Sequence, residues 1–188
     1  MGQAIQAQCK QFDFIASDFQ AKAINLNNIS AVIDFSSPAG FIACVNFCIE
    51  HNLPLISGTT GLSEEHALLI STAKKSIPIL IASNMSLGIA NLKRLIKEYL
   101  MSMSIPSKCS ITEIHHINKK DSPSGTALEI CRFLEGLSGS KIDGPIEMQS
   151  HRIGNVFGMH RIDFENAEGT TTFQHIANSR NIFAKGAL

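Results

Sequence analysis

The chain of 188 residues is 44% hydrophobic and 17% charged, with 16 Lys+Arg balancing 16 Asp+Glu. That apolar content supports a core in one large domain or two small ones, and it excludes a disordered chain, which combines low hydrophobicity with high net charge. Zero formal net charge argues against nucleic-acid or anionic-membrane partners, and no run approaches the ~18 apolar residues of a membrane span.

The N-terminal MGQAIQAQCK has no basic stretch leading into an apolar run, so no signal peptide is expected, and it can form a first helix. Four short apolar segments rich in Ile, Val or Phe, at 12–16, 31–35, 53–57 and 77–82, are predicted as buried parallel strands. Helical patterns at 40–51 and 64–76 separate the later ones. The second has Ser63 as N-cap, Glu64 and Glu65 in its first turn, and Lys74 and Lys75 near its end. Strand alternating with helix means βαβ units and a parallel sheet, whose ligands sit beyond the carboxyl ends of the strands. Residues 34–38, 58–61 and 82–85 occupy those ends. The spacing of Leu92, Leu95, Ile96, Tyr99 and Leu100 predicts an amphipathic helix over 87–100. A strand at 110–114 and a polar loop at 115–122 follow, then a helix starting near Pro123 or Ser124. Alternation at 161–164 and 170–175 predicts antiparallel strands.

Proton-moving and anion-binding groups gather late. Five of the seven His and four of the five Arg lie beyond residue 110. The densest segment is EIHHINKKDSPSGTAL, in which a strand delivers His115 and His116 into a loop holding Lys119 and Lys120. Ser124-Gly125-Thr126 then opens a helix, whose N-terminus seats carboxylates or phosphates. This is an anion cradle beside acid/base groups; it reads equally as a charged surface loop before an ordinary capped helix. No metal site is expected, because adjacent His residues on a strand point to opposite faces and no H-x-x-x-H spacing occurs. Cys9, Cys44, Cys48, Cys109 and Cys131 are scattered without C-x-x-C, which suits free thiols in a reducing cytoplasm. Gly58-Thr59-Thr60-Gly61 could set backbone amides against a nucleotide, although Gly and Thr are common in strand-ending turns. A G-x-G-x-x-G fingerprint is absent. Asp18, after the segment at 12–16, stands where an acidic residue often receives adenosine ribose hydroxyls, or is simply a loop Asp in solvent.

EIHHINKKDSPSGTAL resembles the signature of the dihydrodipicolinate reductase family, E-x-H-H-x-x-K-x-D-x-P-S-G-T-A. The resemblance extends through VIDFSSP, SGTTGL and ASNMSLGIANL upstream, and through Arg152-Ile-Gly154, Gly158-Met-His160 and HIANSRNIFAKGA downstream. It implies an α/β chain: a Rossmann-like nucleotide domain over 1–86, then an α+β domain over 87–188 that binds substrate and builds a homotetramer. It further implies reduction of 4-hydroxy-tetrahydrodipicolinate with NADH or NADPH, in lysine and diaminopimelate biosynthesis. By position His115 corresponds to the family's acid/base and Lys119 to its proton donor, with His116, Gly125 and Thr126 on the substrate dicarboxylate. Gly58, Thr59, Thr60, Ala82, Ser83, Asn84 and Met85 match segments that line the dinucleotide. Three departures stand out. Ile117 replaces a frequent basic residue, and Met85 a frequent aromatic. Met1-Gly2 matches only the last two residues of the family's G-x-x-G-R-M-G loop, so the first strand is expected to be missing and both ends truncated. A non-catalytic remnant that keeps substrate-domain contacts or self-association is therefore the alternative. A different nicotinamide reductase on the same architecture is a third reading, which the HHxxK…SGT segment disfavours.

Overall fold

Strands β1 (Val32–Asp34), β2 (Leu55–Ser57) and β3 (Ile79–Ile81) run parallel in the order β1-β2-β3 in the computed structural model, which describes residues 1–9, 26–137 and 141–188. The strand expected at 12–16, and Asp18 with it, lie outside the described residues. Between the strands run α2 (Pro38–Glu50) and α3 (Glu64–Ala73), after an initial α1 (Gly2–Cys9). Local chemistry sets their starts. The Ser37 hydroxyl accepts from the Gly40 N–H at 3.2 Å, and Pro38 occupies the first helical turn, where its missing N–H costs nothing. At α3, Ser63 and His66 form a reciprocal capping box.

Phe41, Val45 and Cys48 of α2 pack on Leu55 of β2, with Ala73 and Ile77 closing the cluster. Phe41, Val45 and Leu55 each contribute roughly 1.5–3 kcal/mol by burial. Burial first, and the Asp34 charge with it, pushes the Cys44 thiol up to about 11 and helps push Cys48 to about 12, so both behave as inert apolar side chains. Ile5 and Cys9 of α1 join Ala184 of the C-terminal helix α6 (Asn181–Ala187), with Ile33 and Phe35 against them. A Cβ at Gly186 would collide with the Met85 carbonyl oxygen, so only glycine lets this turn of α6 reach the 82–85 loop.

The second sheet has the order β5-β4-β6-β7, from β4 (Lys108–His115), β5 (Glu147–Arg152), β6 (Met159–Asn166) and β7 (Gly169–Ile176). β4 pairs parallel with β5 and antiparallel with β6, and β6 pairs antiparallel with β7. One face is covered by α4 (Leu87–Ser102) and α5 (Gly125–Glu135), through Ile89, Leu92 and Ile96 and through Ala127, Ile130 and Leu134. The strand contribution to that core comes from Cys109, Ile111, Ile162 and Phe164. The period-2 alternation puts Ser110, Thr112 and Ile114 on the opposite face, where they line an open hollow of about 560 Å³ with Arg161 and Asp163.

The chain divides into two compact units, Met1–Met85 with Phe183–Leu188, and Ser86–Ile182. The last residues, Phe183–Leu188, group with the first unit through Ala184 and Leu188. Among the described residues no helix is long and apolar enough to cross a membrane.

Candidate active site

Strand β4 carries its inward face from apolar core into chemistry. Cys109, Ile111, Glu113 and His115 are all buried on that face. Glu113 has no exposed surface, and its Oε1 accepts from the Ser124 backbone N–H at 3.1 Å and from Arg152 Nη1 at 3.0 Å. Its Oε2 lies against His115 Nδ1. Burial alone would raise the Glu113 pKa; hydrogen bonding and charge from His115, with Ser150 and Arg152, outweigh it and hold the carboxyl well below the usual range. The His115 ring meets His160 edge-on, with centroids 5.1 Å apart. His160 Nε2 is 3.2 Å from the Ser124 hydroxyl. Burial first, then the neighbouring His115, pushes His160 down to about 3, so it is a neutral imidazole.

The loop after β4 is fastened from β5. Arg152 Nε donates to the Lys119 carbonyl at 3.3 Å, and its Nη2 donates to the Asp121 carbonyl. Ile153 N–H donates to the His115 carbonyl at 2.8 Å. Lys119 Nζ pairs with Asp121 Oδ1 at 2.8 Å, while Asp121 Oδ2 accepts from the Gly125 N–H at 3.3 Å. Burial would raise the Asp121 pKa, but Lys119 and the backbone N–H groups of Asp121 itself and Gly125 bring it below its ordinary value. Ser124 caps α5, accepting from the Ala127 N–H at 3.2 Å. Burial, then the charges of Arg180, His115, Lys119 and Arg152, lower the His116 pKa. The N-terminus of α5 therefore opens among cationic and neutral basic groups, with one internal carboxylate, that of Asp121, seated on it. His115, His116, Lys119, Gly125 and Thr126 all lie along this end of β4, its loop and the first turn of α5; Lys120 is exposed.

Glu113, His115 and His160 offer ligand atoms within 4.8 Å of one another. The Arg152 guanidinium already neutralises Glu113 through Oε1 at 3.0 Å, so a cation beside the same carboxylate would meet its positive charge, and this donor set suits a hydrogen-bonded network better.

In the first unit the carboxyl ends of β1 and β2 are tied by Asp34, which is buried. Its Oδ1 accepts from the Ser36 N–H at 3.0 Å and the Ser36 hydroxyl at 2.5 Å. Its Oδ2 accepts from Ser57 Oγ and Thr59 Oγ1, both at 2.7 Å. The Thr59 hydroxyl is thus engaged inside the turn, while Gly58 and Thr60 stay half-buried. A Cβ at Gly58 would strike the Phe35 ring, so glycine is required where the two strand ends meet. Ala82, Ser83 and Asn84 are half-buried at the end of β3, and Met85 is buried.

Four residues within the family motifs had no role assigned from sequence: Glu113, Asp121, Arg152 and His160. The period-2 pattern held the signal for two of them, since Glu113 continues the inward stripe of β4 and His160 that of Ile162 and Phe164 on β6. Asp34 carried no comparable signal beyond its place at a strand end.

Residues 1–85 match the family described as dihydrodipicolinate reductase, N-terminus, and residues 88–188 match dihydrodipicolinate reductase, C-terminus. The 4-hydroxy-tetrahydrodipicolinate reductase of a Nitratiruptor species is 40% identical over 176 residues, covering 84% of this chain and 68% of the relative. That of Rickettsia rickettsii (strain Sheila Smith) is 36% identical over 171 residues, covering 86% of this chain and 71% of the relative. The dipicolinate-bound dihydrodipicolinate reductase from Paenisporosarcina sp. TG-14 shares the fold, with a TM-score of 0.61 and 18% identity, over 95% of this chain and 76% of that one. The chain belongs to the dihydrodipicolinate reductase family.

Proposed function

We propose that the chain reduces 4-hydroxy-tetrahydrodipicolinate to tetrahydrodipicolinate with NADH or NADPH, in lysine and diaminopimelate biosynthesis in the cytoplasm. A hydride and a proton enter the substrate and water leaves. The observation that carries this reading is the anion seat over residues 115–126, where an α5 N-terminus opens beside His116 and Lys119 and already holds the Asp121 carboxylate. A planar dicarboxylate suits such a seat, through Gly125 and Thr126 at the helix start and through His116.

The first unit fits a nicotinamide dinucleotide. Its three parallel strands end in short loops at their carboxyl ends, where such sheets hold ligands. Gly58, Thr59 and Thr60, with Ala82, Ser83, Asn84 and Met85, would hold the cofactor, and Asp18 its adenosine ribose. Residues 1–86 are accordingly assigned to the dinucleotide and 87–188 to the substrate. Bound there, the nicotinamide supplies the hydride. Lys119 Nζ, paired with Asp121 and screened by the loop, gives the proton to the reduced substrate. His115 supports that transfer from the end of β4, and the cationic surroundings of His116 stabilise the dianion throughout. The open face of the β5-β4-β6-β7 sheet, with Ile114 and Arg161 on it, is the surface through which a homotetramer would form.

NADH absorbance, followed while the product of the preceding synthase is added to the purified chain, tests the reading. Substrate-dependent loss of NADH is expected. Tight dipicolinate binding with no NADH oxidation would instead favour the remnant.

A further inference from the structure

The hydrogen-bonding capacity around Glu113 carries an inference about His115 that rests on the reductase reading for its catalytic consequence only. Glu113 Oε1 is claimed by two obligate donors, the Ser124 N–H from α5 and Arg152 Nη1 from β5. Its other oxygen faces His115 Nδ1, and the Ser150 hydroxyl of β5 also lies against this carboxylate. The opposite ring nitrogen lies beside Gly158, where a Cβ would come within 3.0 Å of Nε2, so the glycine keeps that edge of the buried ring free of a side chain. His160 from β6 packs edge-on against the ring and fixes its tilt.

We propose that Glu113 is the positioning residue of His115, holding the imidazole in the tautomer that carries its proton on Nδ1 and presents the Nε2 lone pair. Arg152 has two duties in this arrangement. It keeps the second carboxylate oxygen occupied, and it fastens the Lys119 and Asp121 carbonyls, so the acid/base pair is set by one buried carboxylate and one guanidinium. The groups facing His115 are Glu113 on its own strand, Arg152 on β5, His160 on β6, Ser124 on α5, and His116 and Lys119 in the loop. Glu113 Oε2 is the acceptor set against Nδ1; Arg152 and Lys119 are donors only, and the Ser124 hydroxyl is shared between His160 and Ala127.

Glu113→Gln makes the prediction sharp. The Ser124 N–H and Arg152 Nη1 both need an acceptor at the Oε1 position, so the glutamine carbonyl turns there and its NH₂ faces His115. An amide donor opposite Nδ1 forces the proton onto Nε2, and the tautomer inverts while volume and most hydrogen bonds are retained. Nitrogen NMR of the full chain labelled with ¹⁵N-histidine reads both states directly, with His115 assigned by its loss in His115→Gln. The expected result at alkaline pH is protonated Nδ1 in the wild type and protonated Nε2 in Glu113→Gln. In the same variant kcat is expected to fall ~10²–10⁴-fold, with KM and NADH affinity within about threefold of wild type. An unchanged tautomer in a folded Glu113→Gln chain overturns the proposal. So does protonated Nε2 in the wild-type chain, which decides the matter even if the variant fails to fold. The NMR readout needs no turnover, so it stands apart from any failure of the reductase reading.

Discussion

Removing the Asp34 carboxylate is expected to uncouple the loops that end β1 and β2. Asp34 accepts four hydrogen bonds, from Ser36 N, Ser36 Oγ, Ser57 Oγ and Thr59 Oγ1. Ser57 and Thr59 are buried, at 0% and 5% exposure, so in Asp34→Ala their hydroxyl protons lose an acceptor that water does not replace. An orphaned buried donor costs about 1–3 kcal/mol, which gives roughly 2–6 kcal/mol for the pair. The Ser36 groups are more exposed and add little. Asp34→Asn keeps one acceptor oxygen and is expected to lose about half as much. Urea unfolding of the three chains measures this directly, and NADH titration reads the functional consequence, a Kd weakened at least ~10-fold in Asp34→Ala as the 58–60 turn loses its fixed position. The reasoning is refuted if Asp34→Ala unfolds within about 0.5 kcal/mol of wild type, or binds NADH with unchanged affinity.

Acid should destabilise the second unit through His160. Its folded pKa, about 3, lies below the unfolded value near 6.5, so the unfolded chain binds more protons between these limits and stability falls as pH drops through that window. At ~1.4 kcal/mol per unit the loss is about 2 kcal/mol by pH 5, and urea midpoints across pH should show a flatter limb in His160→Gln. Glu113 adds to it at lower pH, because a depressed carboxylate contributes stability that disappears on protonation. Lys119→Ala is expected to lower kcat ~10²–10⁴-fold with little change in NADH affinity, whereas exposed Lys120→Ala should be nearly neutral; equal losses at both positions would mean a diffuse basic patch. Asp121→Asn releases Lys119 and weakens the internal occupant of the Gly125 N–H, so inhibition by dipicolinate should tighten several-fold, and a weaker Ki would show that Asp121 shapes the seat instead of competing for it.

The helices were legible because their signals are local. Ser63 and the apolar stripe of α4 announce a start and a buried face within a single turn, whereas the helix expected at 40–51 begins two residues earlier, at Pro38 behind the Ser37 cap. The inward stripe of β4 was equally plain at Ile111, but its continuation to Glu113 and His115 substitutes charge for apolar bulk, and the burial of those two depends on Arg152 and Ser124 arriving from elsewhere. Strand β5 left almost no trace. Its sequence EMQSHR alternates between exposed and half-buried positions without an apolar face, and it is held as an edge strand by backbone pairing to β4. Arg152 lies at the end of that strand, so the partner of Glu113 could be quoted as part of a motif but not given a role. The return of α6 to the first unit was hidden for a similar reason. It rests on Ala184 and on Gly186 closing against the Met85 backbone, contacts that seven residues of sequence do not advertise.

Titration calorimetry with pyridine-2,6-dicarboxylate tests the anion seat most directly. The seat should bind the dicarboxylate at least ~10-fold more tightly than pyridine-2-carboxylate, a difference of about 1.4 kcal/mol for the second carboxylate. Affinity should fall with rising salt, and Thr126→Val with His116→Gln should abolish the preference. Equal affinity for the two acids, or a preference that survives both substitutions, would contradict the assignment of residues 115–126 as the dicarboxylate site.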